Sequence, residues 1–178
     1  MVKYAGATAT GLLTDRLLGE PPAPIHPVAL FGALMQRVER ATYADRRARG
    51  VVYTAVGVAA GALAGRLARR PAAAVALAVA GRELRTAAAH VRDALLVADV
   101  PRARLLITAL VGRDPSDLDA SQLSAATIES LAENTVDAVV APAFWAGVAG
   151  APGALAYRAI NTMDAMVGHR SPRYENFG

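Results

Sequence analysis

Three carboxylates in the C-terminal third of the chain are spaced for one face of a helix. Glu129, Glu133 and Asp137 stand four residues apart, and Asn134 lies beside them. Side chains four apart in a continuous helix are neighbours, and like charges at that spacing repel each other. A positive partner is therefore expected, either Mg²⁺, which favours carboxylate oxygens, or arginine. The arginines considered for this role are Arg113, Arg158 and Arg170. A salt-bridge network between packed helices is the structural alternative.

A second polar group follows the next apolar stretch. Asn161, Asp164 and Arg170 add an amide, a carboxylate and a guanidinium. A guanidinium suits phosphate because it can donate two parallel hydrogen bonds. His169 could bind a metal or carry a proton, but a lone histidine in this setting is more often a surface residue. A smaller polar island near the N-terminus comprises Asp15, Glu20 and the proline turn at 24–27, which contains His26.

Composition and missing motifs exclude several classes of protein. The chain has no cysteine, so it has no disulfide, thiolate nucleophile or cysteine-bound metal. It also has no Walker-type loop, no Gly-x-Ser-x-Gly elbow and no His-Glu-x-x-His zinc motif. The net charge is +4, but the arginines cluster at the ends of apolar runs and are not interleaved with aromatic residues. That distribution favours membrane flanks over nucleic-acid binding.

The elements that carry these residues are predicted to be helices, many of them in lipid. Hydrophobic residues make up 54% of the chain, and the excess over an ordinary soluble domain is Ala, Val and Leu. The uncharged segment 51–65 is bracketed by arginines, which can extend a span of about 20 residues by reaching the interface. Prolines and glycines in 138–157 predict a broken or re-entrant helix. Possible membrane segments lie near 2–18, 51–65, 71–81 and 138–157.

Between the apolar runs, the pattern from 82 to 111 is amphipathic and predicts soluble or interfacial helices. Asp99 is the expected N-cap of a helix over 102–111, with Pro101 in its first turn and Gly112 at its end. Another helix is predicted from Ser121 through Asn134. The predicted fold is therefore all-α, with polytopic integral membrane helices and an amphipathic soluble or interfacial region, in one domain over 1–178.

Several multi-residue blocks occur in order along nearly the whole chain. These blocks are Leu12–Pro21, His26–Val28, Val111–Asp114, Glu129–Asp137, Ala141–Trp145, Tyr157–Gly168 and the final Phe177-Gly178. Together they resemble the CbiB/CobD family, the adenosylcobinamide-phosphate synthases of cobalamin biosynthesis. Members of that family continue beyond the Phe-Gly, so the resemblance implies an N-terminal portion whose remainder a second chain could supply.

The resemblance implies a multi-pass enzyme of the cell (inner) membrane. Such an enzyme would use ATP and Mg²⁺ to join a carboxylate of adenosylcobyric acid to the amine of aminopropanol phosphate, or of a related amino alcohol. An amide does not form from a carboxylate and an amine in water without activation, so an acyl phosphate made from ATP is expected. The alternative is a non-catalytic membrane subunit or a truncated remnant of that enzyme. Nucleic acid is not an expected partner.

Residue roles follow from the same resemblance. The implied catalytic residues are Glu129, Glu133, Asp137 and Asp164, the last three as metal ligands. The implied substrate- and phosphate-binding residues are Arg113, Asp114, Asn134, Asn161 and Arg170.

Overall fold

The computed structural model describes residues 2–21, 26–112 and 114–178, and it is all-helical over these ranges. In chain order the helices are α1 (Val2–Leu18), α2 (Pro27–Thr42), α3 (Arg47–Leu67), α4 (Pro71–Ala78), α5 (Gly81–Leu96), α6 (Val100–Ile107), α7 (Ala120–Thr135), a π-helical turn (Val136–Val140) and α8 (Ala141–Val167). The chain divides into two compact units. The α3–α8 unit comprises Met1–Val79 with Ala141–Gly178, and the α5–α7 unit comprises Ala80–Val140.

Helices α3 and α8 pack closely because α3 turns glycines toward its partner. The buried residues of α3 are Gly50, Tyr53, Gly57, Gly61 and Gly65. A Cβ at Gly65 would lie 2.5 Å from the backbone nitrogen of Pro152, so only glycine fits there. Small residues allow helix backbones to approach in this way. The segment predicted at 51–65 is confirmed as a helix, and it extends outward into the flanking arginines.

Helix α8 is broken in its first half, as the prolines and glycines predicted. Gly150 has φ 68° and ψ −156°, and Pro152 follows inside the helix. That backbone conformation is essentially restricted to glycine, and proline removes a backbone donor. Beyond the break the helix runs to Val167, so Asn161 and Asp164 lie within it and not after it.

Three predicted helix bounds need correction. Helix α6 ends at Ile107 and not at Val111, because the N–H of Leu110 turns back to the carbonyl of Ile107 at 2.8 Å and tightens the last turn. Helix α4 has eight residues, about 12 Å, and is too short to cross a bilayer core. The predicted segment at 138–157 begins in the π-helical turn and only then enters α8.

Other local predictions are confirmed. Helix α1 ends at Leu18, before Pro21. Asp99 caps α6, its carboxylate accepting from the N–H of Arg102 at 3.1 Å. Helix α5 covers the first half of the amphipathic pattern predicted over 82–111. Its Val91 and Ala94 join Ile107 and Leu123 in the core of the α5–α7 unit.

Helix α2 was not predicted, although its start signal is present. The Nδ1 of His26 accepts from the N–H of Val28 at 3.2 Å, and Pro27 is the first helical residue. The prolines before it suggested a turn alone, and residues 24 and 25 of that turn lie outside the described part of the chain. Met35 of α2 is buried with Tyr53, Met163 and Phe177 in the core of the α3–α8 unit.

Among the described residues, two helical stretches are long and apolar enough to cross a membrane. One is Arg47–Leu67, and the other is a window within Ala120–Val167. Length and composition alone identify them, and buried helices of soluble proteins share both properties.

Candidate functional site

Two predicted carboxylates meet the turn after α6 at one cavity in the α5–α7 unit. Glu129 and Glu133 on α7 line a space of about 290 Å³ whose opposite wall includes Val111 and Gly112. Those two wall residues belong to the block Val111–Asp114, which lies apart in sequence from the block of the carboxylates. Because α7 is continuous here, its four-residue spacing places both carboxylates at the same cavity.

Ser130 ties the two walls of this cavity together. Its hydroxyl donates to the carbonyl of Leu110 at 2.6 Å. The amide nitrogen of Asn134 in turn donates to the carbonyl and hydroxyl oxygens of Ser130, each at 2.9 Å. Ser130 is buried, so these bonds hold α7 to the turn after α6. Ser130 is not among the residues predicted from the sequence, where its only signal is a hydroxyl between two carboxylates on one helix.

Asp137 departs from the expected geometry. The four-residue spacing predicted one continuous helix through Glu129, Glu133 and Asp137, but α7 ends at Thr135 and Asp137 lies in the π-helical turn. The wider i→i+5 hydrogen bonding of such a turn shifts the angular position of every following side chain. Within the described part of the chain, these three carboxylates do not come within reach of one shared ion. The prediction that all three carboxylates share one face of a continuous helix is therefore wrong.

Residues 114–119 contain a short turn and lead into α7. Arg113 lies outside the described residues. Asp114 is exposed, and its carboxylate accepts hydrogen bonds from the hydroxyl of Ser116 and from the N–H of Ser116, the latter at 2.9 Å. These two hydrogen bonds hold the pKa of Asp114 below its ordinary value. Asp119 then caps α7 in a reciprocal capping box with Gln122.

The remaining predicted site residues belong to the α3–α8 unit. Asn161 is half-buried and Asp164 is exposed, both near the end of α8, and Arg170 is exposed beyond it. The N–H of Gly168 donates to the carbonyl of Asp164 at 2.7 Å and closes the helix. His169 is exposed, with its ring against the edge of Tyr174, which confirms a surface role. The metal set predicted from Glu133, Asp137 and Asp164 is thus divided between the two units.

The polar island near the N-terminus has a structural explanation. The Nε2 of His26 pairs with a carboxylate oxygen of Glu20, and its Nδ1 accepts from the N–H of Val28. With Nδ1 as acceptor, the imidazole proton is assigned to Nε2, which donates to Glu20. His26 thereby links the end of α1 to the start of α2 and caps the latter.

The chain is similar to known proteins over most of its length. Residues 8–178 match the family described as CobD/Cbib protein. Among the similar proteins, each described as cobalamin biosynthesis protein CobD, that of Mycobacterium tuberculosis is 43% identical over 94% of this chain and 56% of its own length. The Rhodobacter capsulatus protein is 38% identical over 99% of this chain and 62% of its own length. The Chromobacterium violaceum protein is 44% identical over 94% of this chain and 59% of its own length.

The chain therefore spans less than two thirds of the length of these relatives. No solved structure matches it. The match over residues 8–178, together with the identity to three relatives from distinct bacteria, establishes that the chain belongs to the CobD/CbiB family of cobalamin biosynthesis proteins.

Proposed function

We propose that the chain takes part in the ATP-dependent amide synthesis that yields adenosylcobinamide phosphate. The bond joins a carboxylate of adenosylcobyric acid to the amine of aminopropanol phosphate or a related amino alcohol. The observation that carries the proposal is the cavity where Glu129 and Glu133 meet Val111 and Gly112, since it unites two blocks of the family pattern. Because the chain covers only part of its relatives, the proposal concerns its share of this reaction.

The reaction itself sets what this cavity must do. The carboxylate of the corrinoid needs a leaving group, which a phosphoryl group from ATP supplies, and the attacking amine loses a proton as the amide bond forms. An exposed carboxylate such as Glu129 or Glu133 is a suitable acceptor for that proton. Ser130 and Asn134 act here as positioning residues, because their hydrogen bonds fix the wall that carries both carboxylates.

The donor set at the cavity fits Mg²⁺ that arrives with a nucleotide. Magnesium in nucleotide sites is commonly held by one or two carboxylates together with phosphate oxygens, and Glu129 and Glu133 offer two carboxylates on one cavity. The bound ion would neutralise phosphate charge. Asp137 and Asp164, which the family resemblance also implies as metal ligands, are not among the described residues that line this cavity.

Phosphate binding is assigned in the proposal to Arg113 and Arg170, with Asp114 next to Arg113 in the sequence. Asn161 is assigned to orienting the substrate. The two arginines are assigned to phosphate because a guanidinium is positively charged and can donate two parallel hydrogen bonds to it.

We also place the chain in the cell (inner) membrane as a multi-pass protein, and the surface of α3 supports this. Its buried positions are mostly glycines, whereas Val51 is 67% exposed and Leu67 is 72% exposed. On α8, Phe144 and Ile160 are likewise exposed. A helix with glycine inside and large aliphatic side chains outside suits a lipid environment, because in water the outer face would form an extended apolar patch.

The test is amide synthesis by membranes containing this chain, with product detected by mass spectrometry and with ATP and Mg²⁺ each omitted in turn. Glu129→Gln and Glu133→Gln should each lower product formation by about a hundredfold or more, the usual contribution of a general base. Glu175→Gln, an exposed glutamate of the C-terminal segment, is the matched control.

Unchanged turnover in both cavity variants would remove the cavity from the mechanism. If this chain gives no product while a full-length relative is active in the same assay, the chain is a non-catalytic part of the system or needs a second chain. Product from this chain alone would locate the catalytic residues within it.

A further inference from the structure

A larger cavity lies in the α3–α8 unit, and the proposed amide synthesis does not use it. Its volume is about 530 Å³, within the range of small-molecule sites. Helices α2, α3, α4 and α8 all contribute to its wall, which is mostly alanine, leucine and phenylalanine. Three arginines also line it, Arg69, Arg70 and Arg158. The cavity thus combines an apolar body with a concentrated positive charge.

Arg158 is the most constrained of these cations. Its side chain is half-buried, and its Nε is buried without a hydrogen-bond partner among the described residues. In the same described ranges, no carboxylate forms an ion pair with Arg158, Arg69 or Arg70. An anion in this cavity would give the buried Nε of Arg158 a hydrogen-bond acceptor and would pair with the positive charge of the three arginines, so its binding is favoured.

The apolar part of the wall determines what else the anion must carry. Ala64 of α3, Leu77 of α4 and Leu155 of α8 face the same space as the arginines. A free inorganic anion would leave these surfaces uncovered, whereas an amphipathic anion would cover them and pair with the arginines at once.

The position of the arginines along the chain indicates that this amphipathic anion comes from the lipid bilayer. Helix α3 is long and apolar enough to cross a membrane, and Arg69 and Arg70 lie two and three residues beyond its end at Leu67. Arginines at the end of a span lie at the depth of lipid headgroups, where anionic lipids attract them.

We propose that the cavity lined by Arg69, Arg70 and Arg158 binds an anionic phospholipid, with the headgroup phosphate on the arginines and an acyl chain along Ala64, Leu77 and Leu155. The proposal rests on the membrane location proposed above and is independent of the amide-forming reaction. In function, the lipid would brace α3, α4 and α8 against one another.

The experiment is native mass spectrometry of the chain released from nanodiscs containing phosphatidylglycerol and phosphatidylcholine. Phosphatidylglycerol should be retained preferentially. Removal of one arginine, in Arg158→Gln or Arg69→Gln, should weaken retention by about fivefold, the effect of one basic residue near an anionic surface. The matched control is Arg66→Gln, an exposed arginine at the same helix end that does not line the cavity, and it should change little.

Equal retention of the two lipids would overturn the proposal, as would equal weakening by Arg66→Gln and Arg158→Gln. Inorganic phosphate is tested alone, and binding of phosphate without lipid retention would also overturn it. Should Arg158→Gln fail to fold, Ala64→Phe fills the apolar part instead and is expected to expel the lipid. Product formation is measured separately, so a failed lipid site with intact amide synthesis is distinguishable from the converse.

Discussion

The backbone of α3 at Gly61 lies directly against the carbonyl oxygen of Leu155 on α8. A Cβ placed at Gly61 would stand 2.6 Å from that oxygen, and a Cβ at Gly57 would overlap the sulfur of Met163. Gly57, Gly61 and Gly65 are four residues apart and therefore share one face of α3. This contact between backbones is what holds the two helices at close range.

Gly61→Leu should separate α3 from α8. The obstacle at this position is backbone and cannot rotate away, so we expect a loss of at least 1–3 kcal/mol, the ordinary cost of overpacking. Thermal unfolding of the detergent-purified chain, followed by circular dichroism, measures it. Ala59→Leu adds a side chain at an exposed position of the same helix and should leave the Tm nearly unchanged. Equal melting temperatures for both variants would contradict the close pairing.

Gly150→Ala should destabilise the chain, because its positive φ is strained for any residue with a Cβ. The added carbon would also lie 2.9 Å from the ring of Tyr4. We expect a loss of at least about 1 kcal/mol. Gly147→Ala is the control, since a Cβ there meets nothing within 4 Å and alanine favours a helix. The two variants should shift the Tm in opposite directions, and a stabilised Gly150→Ala would show that the break is absent.

Tyr174 should make stability depend on pH in the alkaline range. Its hydroxyl donates to Glu39 at 2.8 Å, and Arg173 donates to the same carboxylate oxygen at 3.0 Å. The hydrogen bond to Glu39, followed by burial, raises the pKa of Tyr174. A group whose pKa is raised on folding stabilises fully below its unfolded value, about 10 for tyrosine, and this stabilisation is lost as the pH rises through the folded pKa.

The measurement is the Tm of the chain and of Tyr174→Phe from neutral to strongly alkaline pH. The difference between them should be constant up to about pH 10 and should shrink above it. The control is Tyr4→Phe, because the hydroxyl of Tyr4 makes no hydrogen bond within the described ranges. A Tm difference that stays constant through the alkaline range would mean that the stabilisation by Tyr174 does not depend on its hydroxyl proton.

Local signals explain which elements the sequence predicted. The helix over α5 and the cap at Asp99 follow from amphipathic spacing and capping chemistry, which act within a few residues. Helix α2 carried comparable signals, with Val28, Phe31, Met35 and Val38 spaced along one face, but the prolines before it suggested only a turn. The π-helical turn has no sequence signature of this kind.

The candidate site was predictable only where one continuous helix carries it. Glu129 and Glu133 reach one cavity because α7 is regular between them, and spacing alone gives that result. The approach of Val111 and the hydrogen bond from Ser130 to Leu110 depend on how α6 turns toward α7, which no local pattern encodes. The division of the predicted residues between two compact units is likewise a property of tertiary contacts.

In the proposed membrane location, the break at Gly150 also resolves a mismatch of length. An unbroken α8 of 27 residues would be about 40 Å long, well beyond the roughly 30 Å of a hydrocarbon core. The stretch 151–167 beyond the break measures about 25 Å, close to the thickness that a modestly thinned bilayer offers. By ending one helical axis and starting another, a single glycine would allow the proposed membrane protein to divide this long apolar stretch between a part that spans lipid and a part that lies outside it.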